Sequence, residues 1–175
     1  MVVYARSTTS SAPRWNRERR PPGSGGRYAD FNRKIVDEFR ANGGHVSGPL
    51  AGTTLILLHH IGARSGIERV TPLACSARDG DGLVIVASNG GSPAHPAWYH
   101  NLKAHPSIEV EMGTRTFAAL AEELDDAARD RVWPELVAEA PSLGLYQAMT
   151  TRRIPVFLLT LVRPRAGDSA AGDRR

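Results

Sequence analysis

Residues 88–103 read SNGGSPAHPAWYHNLK and join an apolar run to a short helical pattern. The preceding run, LVIVA, is typical of a buried strand, and the Gly pair indicates a turn. Trp98 and Leu102 are four residues apart, so on a helix they would share one face. Ser92 and Pro93 suit the N-cap and the first position of that helix. The segment therefore predicts a strand, a glycine-rich turn and a helix, in that order.

A glycine-rich turn before a helix N-terminus is a common place to bind an anion. Its backbone N–H groups and the positive end of the helix dipole both favour negative charge. The alternative interpretation is a structural turn whose Trp98 packs in the core. The pattern alone leaves both interpretations open.

The length and the cysteine content limit the class of protein. A chain of 175 residues suggests one domain with a substantial core. No run approaches about 18 apolar residues, so no transmembrane helix is expected, and the N-terminus lacks the apolar stretch of a cleaved signal. Cys75 is the sole cysteine, which excludes an internal disulfide framework and a multi-cysteine metal site. These features favour a cytoplasmic protein.

The net charge of +4 is distributed unevenly along the chain. Residues 1–28 carry a net +5 and residues 163–175 a net +2, so residues 29–162 carry a net −3. Because a nucleic-acid-binding domain usually carries its basic surface on the fold itself, nucleic acid is not an expected partner. The composition predicts a disordered leader at 1–28 and a disordered tail at 163–175. A weak contact between the Arg-rich leader and an anionic membrane surface is left open.

The hydrophobic pattern of residues 29–162 predicts six strands with helices at the margins. Asp30 is expected to cap a first helix that ends at Gly43-Gly44, and Pro141 is expected to start a short helix. Asp125 is expected to cap a helical region that Pro134 kinks or divides into two short helices. The strands are expected at residues 53–61, 67–77, 83–88, 107–112, 115–123 and 154–162, and Pro72 makes the second an edge or bulged strand. Since strands and helices do not alternate, the pattern predicts a small antiparallel barrel of the α+β, mainly β class.

The sequence contains one cluster of residues suited to an anionic ligand, and it lacks the motifs of zinc sites, P-loops and Rossmann-type nucleotide sites. The spacing of the six histidines, with no HExxH or CxxC, argues against zinc, and neither a Walker motif nor a GxGxxG turn occurs. Arg64, Ser65 and Arg69 cluster at a glycine-bounded turn, and guanidinium groups suit phosphate or carboxylate. If this turn and the Gly90-Gly91 turn lie at one end of the barrel, they could bind an anionic, flat ligand.

Four motifs, in order along residues 30–162, resemble one known family. They are GARSG at 62–66 followed by Arg69 and TPL at 71–73, VAS at 86–88, HPAWYHNL at 95–102, and a closing segment from Tyr146 to Val156. With them the chain resembles the actinobacterial deazaflavin-dependent nitroreductase family, in the split β-barrel group of flavin and deazaflavin oxidoreductases. The resemblance implies a split antiparallel β-barrel of about six strands with peripheral helices, and a reductase that uses coenzyme F420.

The resemblance also implies which residues form the site. Arg64, Ser65 and Arg69 match positions that bind the phosphate of the anionic F420 tail, and Tyr146 matches a substrate-side aromatic residue that is the candidate proton donor. The expected cofactor-binding residues are Arg64, Ser65, Arg69, Thr71, Pro72, Val86, Ala87, Ser88, Asn89, Gly90, Gly91, His95, Trp98 and Tyr99. No metal is expected. The cofactor would supply a hydride, while the protein orients it and excludes water.

The chain departs from the family pattern at several positions, which leaves alternatives open. Ala63 and Asn89 stand where many relatives carry cations, and His59 and His60 replace a hydroxyl-rich pair. The substrate side differs too, as at Leu143, so the acceptor could be a quinone, a nitroaromatic compound or another activated alkene. Two alternative functions are a non-catalytic flavin or deazaflavin carrier and an FMN-using oxidoreductase of the same group. A monomer or a homodimer is expected.

Overall fold

The computed structural model describes residues 25–78, 80 and 82–162, and only the backbone of residues 25–28. The helices are α1 (Gly25–Ala41), α2 (Ala97–Ala104), α3 (Asp126–Glu139) and α4 (Ser142–Ala148), with short 3-10 turns at Gly48–Leu50 and Asn89–Gly91. The strands are β1 (Leu55–Ile61), β2 (Glu68–Ala74), β3 (Ser76–Ala77), β4 (Gly82–Val86), β5 (Ser107–Met112), β6 (Arg115–Glu123) and β7 (Val156–Leu161). Residues 1–24 of the predicted leader and the whole predicted tail lie outside the described residues.

The seven strands form one antiparallel sheet in the order β2-β1-β5-β6-β7-β4-β3. Strands β2 and β3 lie at its two edges, yet only Cys75 separates them in the chain. The sheet therefore curls until its edges approach one another, which confirms the predicted split barrel of the α+β, mainly β class. Pro72 lies in β2, an edge strand, as expected for a residue that lacks a backbone N–H.

The predicted strand 67–77 is wrong as a single strand, and the sheet has seven strands rather than six. The chain leaves one edge of the sheet at Ala74 and enters the other edge at Ser76. Between them, the N–H of Cys75 donates to the carbonyl of Thr54 at 3.0 Å. The hydrophobic pattern does not reveal this break, because the chain stays on the same curled surface on both sides of it.

The strand directions place three connections at one end of the sheet. Because all neighbouring strands are antiparallel, β1, β6 and β4 run in the same direction, opposite to β5 and β7. The connections that follow β1 and β4, and the one that precedes β7, therefore lie at the same end. We call this the loop end; it comprises residues 62–67, 87–96 and 149–155.

Helix α1 begins earlier than predicted and ends where predicted. It starts at Gly25, so Asp30 lies inside the helix and is not its cap; the Asp30 carboxylate instead accepts from Arg33 at 3.2 Å. The sequence GGRYA ahead of Asp30 contains two poor helix formers, which is why the pattern places the start too late. At the other end, the N–H of Gly44 donates to the carbonyl of Phe39 at 2.8 Å, and φ of Gly44 is 96°.

Helix α3 begins at the predicted cap. The Asp125 carboxylate accepts from the N–H of Ala128 at 2.7 Å. The helix continues through Pro134 to Glu139 as one helix, so the predicted alternative of two short helices is wrong. None of the described helices has the length and apolar composition needed to cross a membrane.

Three groups of buried side chains hold the fold together. The largest fills the inside of the curled sheet, where Trp98 and Leu102 of α2 pack with Phe157 of β7. This confirms the helix face predicted for Trp98 and Leu102. A second group joins α1 to the outer face of β1, and a third joins α3 to β4 and β7. The helices therefore lie around the barrel, as predicted.

His59 and His60 are consecutive on β1 and point to opposite faces of the sheet. On the outer face, the His59 ring lies between two carboxylates, with Nδ1 2.7 Å from Glu68 and Nε2 2.6 Å from Glu111. Glu111 also accepts from Arg40 of α1 at 3.0 Å. Burial opposes a charged ring, but the hydrogen bonds that the ring donates to Glu68 and Glu111 outweigh it and raise the pKa of His59.

The raised pKa of His59 makes its contribution to stability depend on pH. That contribution should be complete below the unfolded-state pKa of about 6.5. It should be lost as the pH rises through the higher folded-state pKa. We therefore expect the difference in unfolding free energy between wild type and His59→Gln, measured by urea denaturation, to be larger at about pH 6 than at about pH 9.

The matched control is His45→Gln, because His45 is exposed and has no carboxylate partner among the described residues. If the stability difference for His59→Gln changes between the two pH values no more than the difference for this control does, the prediction is contradicted.

Candidate active site

The predicted cofactor-binding residues fall into two groups at the loop end or on the elements that adjoin it. The first group lies on the β1–β2 turn and on β2, and consists of Arg64, Ser65, Arg69, Thr71 and Pro72. The second group lies on the end of β4, the following connection and α2, and consists of Val86, Ala87, Ser88, Asn89, Gly90, Gly91, His95, Trp98 and Tyr99. Helix α2 links the groups, because Asn101 accepts from the N–H of Ala63 at 2.9 Å. The two glycine turns thus lie at one end of the barrel, which is the arrangement that binding of one ligand by both turns requires.

The turn at residues 62–66 is closed by its own backbone. Gly66 N–H donates to the carbonyl of Gly62 at 2.8 Å, and Gly62 N–H donates to the carbonyl of Ile67 at 2.9 Å. A Cβ at position 62 would lie 2.4 Å from the hydroxyl oxygen of Ser65, so any larger residue there would displace that hydroxyl. The same hydroxyl accepts from the N–H of Ile67 at 3.3 Å. The predicted ligand residue Ser65 therefore also shapes the turn.

Two guanidinium groups flank this turn without a carboxylate partner. Arg64 in the turn and Arg69 near the start of β2 are both exposed. Neither forms an ion pair with any residue in the described part of the chain. The Nε of Arg69 lies 3.7 Å from the position that a Cβ on Gly62 would take, so its guanidinium lies against the turn. This arrangement suits a phosphate or carboxylate group.

The turn after β4 is built from residues with positive φ. The φ angle is 46° at Asn89, 61° at Gly90 and 78° at Gly91, a conformation that glycine adopts freely and asparagine tolerates. The side-chain amide of Asn89 donates to the carbonyl of Ala94 at 2.9 Å. Part of the hydrogen-bonding capacity of Asn89, predicted to contact the cofactor, is therefore used inside its own connection.

The helix after this turn starts later than the sequence predicts. Helix α2 begins at Ala97 with Pro96 at its N-cap, whereas Ser92 and Pro93 are predicted to start it. The second proline explains the difference, because Pro96 disfavours helical backbone at His95 and the helix begins only after it. The glycine turn therefore does not lead directly into a helix N-terminus, so the interpretation in which a helix dipole supports an anion there lacks the helix N-terminus that it needs.

Arg152, which lies just before β7, is a site residue that the sequence analysis does not identify. Its Nε donates to the carbonyl of Ser92 at 2.8 Å, and its Nη2 donates to the carbonyls of Ser88 at 2.7 Å and Ala87 at 3.1 Å. Nη1 also donates to Nδ1 of His95 at 3.3 Å. A single half-buried side chain thus holds four acceptors along the connection after β4. Its place in the closing motif is the sequence signal that could have found it.

His95 and Tyr99 stack with ring centroids 4.2 Å apart. Because Arg152 can only donate, Nδ1 of His95 is the acceptor of their hydrogen bond. Burial and the Arg152 charge lower the pKa of His95, which keeps the ring neutral. A neutral ring that accepts at Nδ1 carries its hydrogen on Nε2. The Tyr99 hydroxyl lies 3.3 Å from both carboxylate oxygens of Glu123, which also accepts from Lys103 at 2.7 Å. Burial and the Glu123 charge raise the pKa of Tyr99, so its phenol stays protonated.

Trp98 and Tyr146 are the buried aromatic residues among the predicted site residues, each only 6% exposed. Trp98 packs edge-on against Phe157 at 6.0 Å and belongs to the core. Helix α4 packs directly on the glycine turn, because a Cβ on Gly91 would lie 2.9 Å from the carbonyl of Tyr146. The structure therefore places the predicted proton donor on an element that contacts the predicted cofactor turn.

Features elsewhere do not form a second candidate site. Among the described residues, no group of three His, Cys, Asp or Glu side chains could hold a metal ion. Burial raises the pKa of Cys75 to about 12, so its thiol is unreactive at neutral pH. A cavity of about 350 Å³ is lined by residues 43–46, 52–55 and 112–113, at the end of the sheet opposite the loop end.

Residues 31–161 match the family model described as F420H(2)-dependent quinone reductase. The chain is 40% identical over 127 residues to F420H(2)-dependent quinone reductase Rv1261c of Mycobacterium tuberculosis, which covers 70% of this chain and 84% of that protein. Among solved structures, an F420-H2 dependent reductase (FDR-A) is 37% identical with a TM-score of 0.55, covering 61% of this chain and 93% of the other. A protein described as a domain-swapped dimer is 32% identical with a TM-score of 0.57, covering 77% and 98%.

These matches extend over nearly all of the barrel and its helices. They include the GARSG turn, the HPAWYHNL segment and the closing segment, on which the resemblance rests. The same segments supply Arg64, His95 and Arg152 at the loop end. The chain belongs to the F420H(2)-dependent quinone reductase family.

Proposed function

We propose that this chain passes a hydride from reduced F420 to a quinone, and that the reaction takes place at the loop end. Membership of the family makes the chain an oxidoreductase that uses reduced coenzyme F420. The location is supported chiefly by Arg64 and Arg69. Both side chains are exposed beside a glycine turn and have no carboxylate partner among the described residues.

The charges at this turn fit the anionic tail of F420. Arg64 and Arg69 would hold its phosphate, since a guanidinium donates two parallel hydrogen bonds to such a group. Ala63 and Asn89 add no positive charge beside them. The affinity for the tail would therefore depend mainly on the two arginines.

The connection after β4 would support the flat ring of the cofactor. Arg152 holds the carbonyls of Ala87, Ser88 and Ser92 in place before any ligand arrives. A preformed surface reduces the conformational entropy that binding would otherwise cost. The residues from Val86 to Gly91 would thus present a rigid backbone edge to the ring.

Reduced F420 supplies the hydride when it is bound. A quinone that accepts a hydride also needs a proton to become a hydroquinone. Tyr146 is the proposed donor of that proton, because it is buried on α4 beside the glycine turn.

A titration with oxidised F420 and, separately, FMN tests the cofactor, with intrinsic tryptophan fluorescence as the signal. We expect saturable quenching by F420 and weaker quenching by FMN, followed by oxidation of reduced F420 when menadione is added. Saturable F420 binding without turnover of menadione or a nitroaromatic compound would indicate a carrier. A preference for FMN would overturn the choice of cofactor.

Of the two assemblies expected from the sequence, we favour the homodimer. A protein 32% identical to this chain is described as a domain-swapped dimer, which supports that choice. A weak membrane contact through the Arg-rich leader is a proposal about residues outside the described part of the chain. Analytical ultracentrifugation and vesicle sedimentation would test the two points separately.

A further inference from the structure

A buried chain of hydrogen bonds links the GARSG turn to α2, β1 and β2. The N–H of Ala63 donates to Oδ1 of Asn101 at 2.9 Å, Nδ2 of Asn101 lies 2.8 Å from Nδ1 of His60, and Nε2 of His60 lies 3.0 Å from the hydroxyl of Thr71. His60 is 3% exposed and Asn101 is 7% exposed. The mechanism proposed above does not use His60.

The backbone fixes the direction of every bond in this chain. Since Oδ1 of Asn101 accepts from a backbone N–H, the amide NH2 of Asn101 faces His60 and donates to its Nδ1. A neutral ring that accepts at Nδ1 carries its hydrogen on Nε2, which donates to Thr71. Burial, with the charge of Arg69, lowers the pKa of His60 to about 4, so the ring is neutral at physiological pH.

The hydroxyl of Thr71 is therefore left with a hydrogen to donate. Its oxygen already accepts from His60, and no acceptor among the described residues lies within hydrogen-bonding distance of that hydrogen. Thr71 is half-buried and two residues from Arg69 on β2. The register pairs His60 with Arg69 and Leu58 with Thr71, so His60, Arg69 and Thr71 share one face of the sheet.

We propose that His60 is a positioning residue that turns the Thr71 hydroxyl hydrogen toward an anionic oxygen of the cofactor held by Arg69. This inference rests on the proposed function, because it assumes that F420 binds at the loop end. His60 does not touch the ligand in this arrangement. It acts through Thr71, and it steadies the turn through Asn101.

A double-mutant cycle on the F420 dissociation constant tests this role. We expect Thr71→Val and His60→Leu each to raise the Kd for oxidised F420 by about three- to tenfold. The Kd of the double variant should be no higher than the Kd of whichever single variant binds F420 less tightly, because both changes remove the same hydrogen bond. His60→Gln, which keeps one acceptor and one donor, should recover most of the affinity. Effects that multiply in the double variant would overturn the proposal.

A spectroscopic measurement on the wild type tests the bond directions directly. The ¹⁵N shifts of the His60 ring at neutral pH should show the neutral form with hydrogen on Nε2. Hydrogen on Nδ1 would overturn the proposal even if His60→Leu fails to fold. If the wild type binds F420 and both His60→Leu and Thr71→Val bind it with the same Kd, this inference is refuted while the proposed function stands. A wild type that does not bind F420 would refute the proposed function and this inference together.

Discussion

Replacing both Arg64 and Arg69 with alanine should raise the Kd for oxidised F420 about 100-fold. A hydrogen bond to a charged group is worth about 1.5–3 kcal/mol. Because both side chains are exposed, we expect each arginine to contribute a binding free energy near the lower limit of that range. The fold should survive, because neither arginine has an ion-pair partner among the described residues. Fluorescence titration measures the affinity, and urea denaturation checks the stability.

The control for this variant also removes two positive charges, but at positions away from the turn. Arg115 and Arg131 are exposed, and Arg115 begins β6 at the end of the sheet opposite the loop end. Arg115→Ala, Arg131→Ala should leave the Kd for F420 within about twofold of wild type, because long-range charge effects are screened by salt. Equal losses in the two double variants would show that net charge, and not the turn, governs binding.

Arg152→Ala should lower the unfolding free energy by about 2–4 kcal/mol. The change removes a half-buried cation that donates to three carbonyls and to His95. Without it, the connection after β4 loses four hydrogen bonds to the chain before β7 and keeps the one from the Ala87 N–H to the Pro155 carbonyl at 2.9 Å. We expect the Kd for F420 to rise about tenfold as well, because the ring surface is no longer preformed. Urea denaturation and fluorescence titration measure the two effects.

The neighbouring residue provides the control. Arg153 is exposed and pairs with Asp126 and Asp130 at the surface, where ion pairs contribute little. Arg153→Ala should therefore change stability and F420 affinity far less than Arg152→Ala. Hydrogen exchange should also become faster at residues 88–95 in Arg152→Ala only. Similar behaviour of the two variants would refute the role assigned to Arg152.

Much of the fold can be predicted from short stretches of sequence. The alternation of Ile108 and Val110 with Glu109 and Glu111 predicts β5, and the structure buries the apolar pair. Gly43-Gly44 predicts the end of α1, and the spacing of Trp98 and Leu102 predicts the buried face of α2. These features depend on neighbours within a few residues, so local periodicity and turn chemistry suffice to predict them.

The incorrect predictions have local causes too. The start of α1 is hidden by two glycines, and the start of α2 is assigned to the first of two prolines when the chain uses the second. The break in strand 67–77 leaves no mark in the hydrophobic pattern. In each case two local signals compete or a signal is absent, and packing selects the outcome.

The amino-acid sequence was sufficient for the barrel class, the glycine turns and the F420 family, because strand periodicity, turn residues and ordered motifs are all properties of contiguous segments. The roles of Arg152 and His60 became visible only once the sheet had curled. Arg152 is 57 to 65 residues from the atoms it holds, and His60 is 41 residues from Asn101. No periodicity encodes such pairs, since they meet only when antiparallel pairing brings the ends of β1, β4 and β7 together.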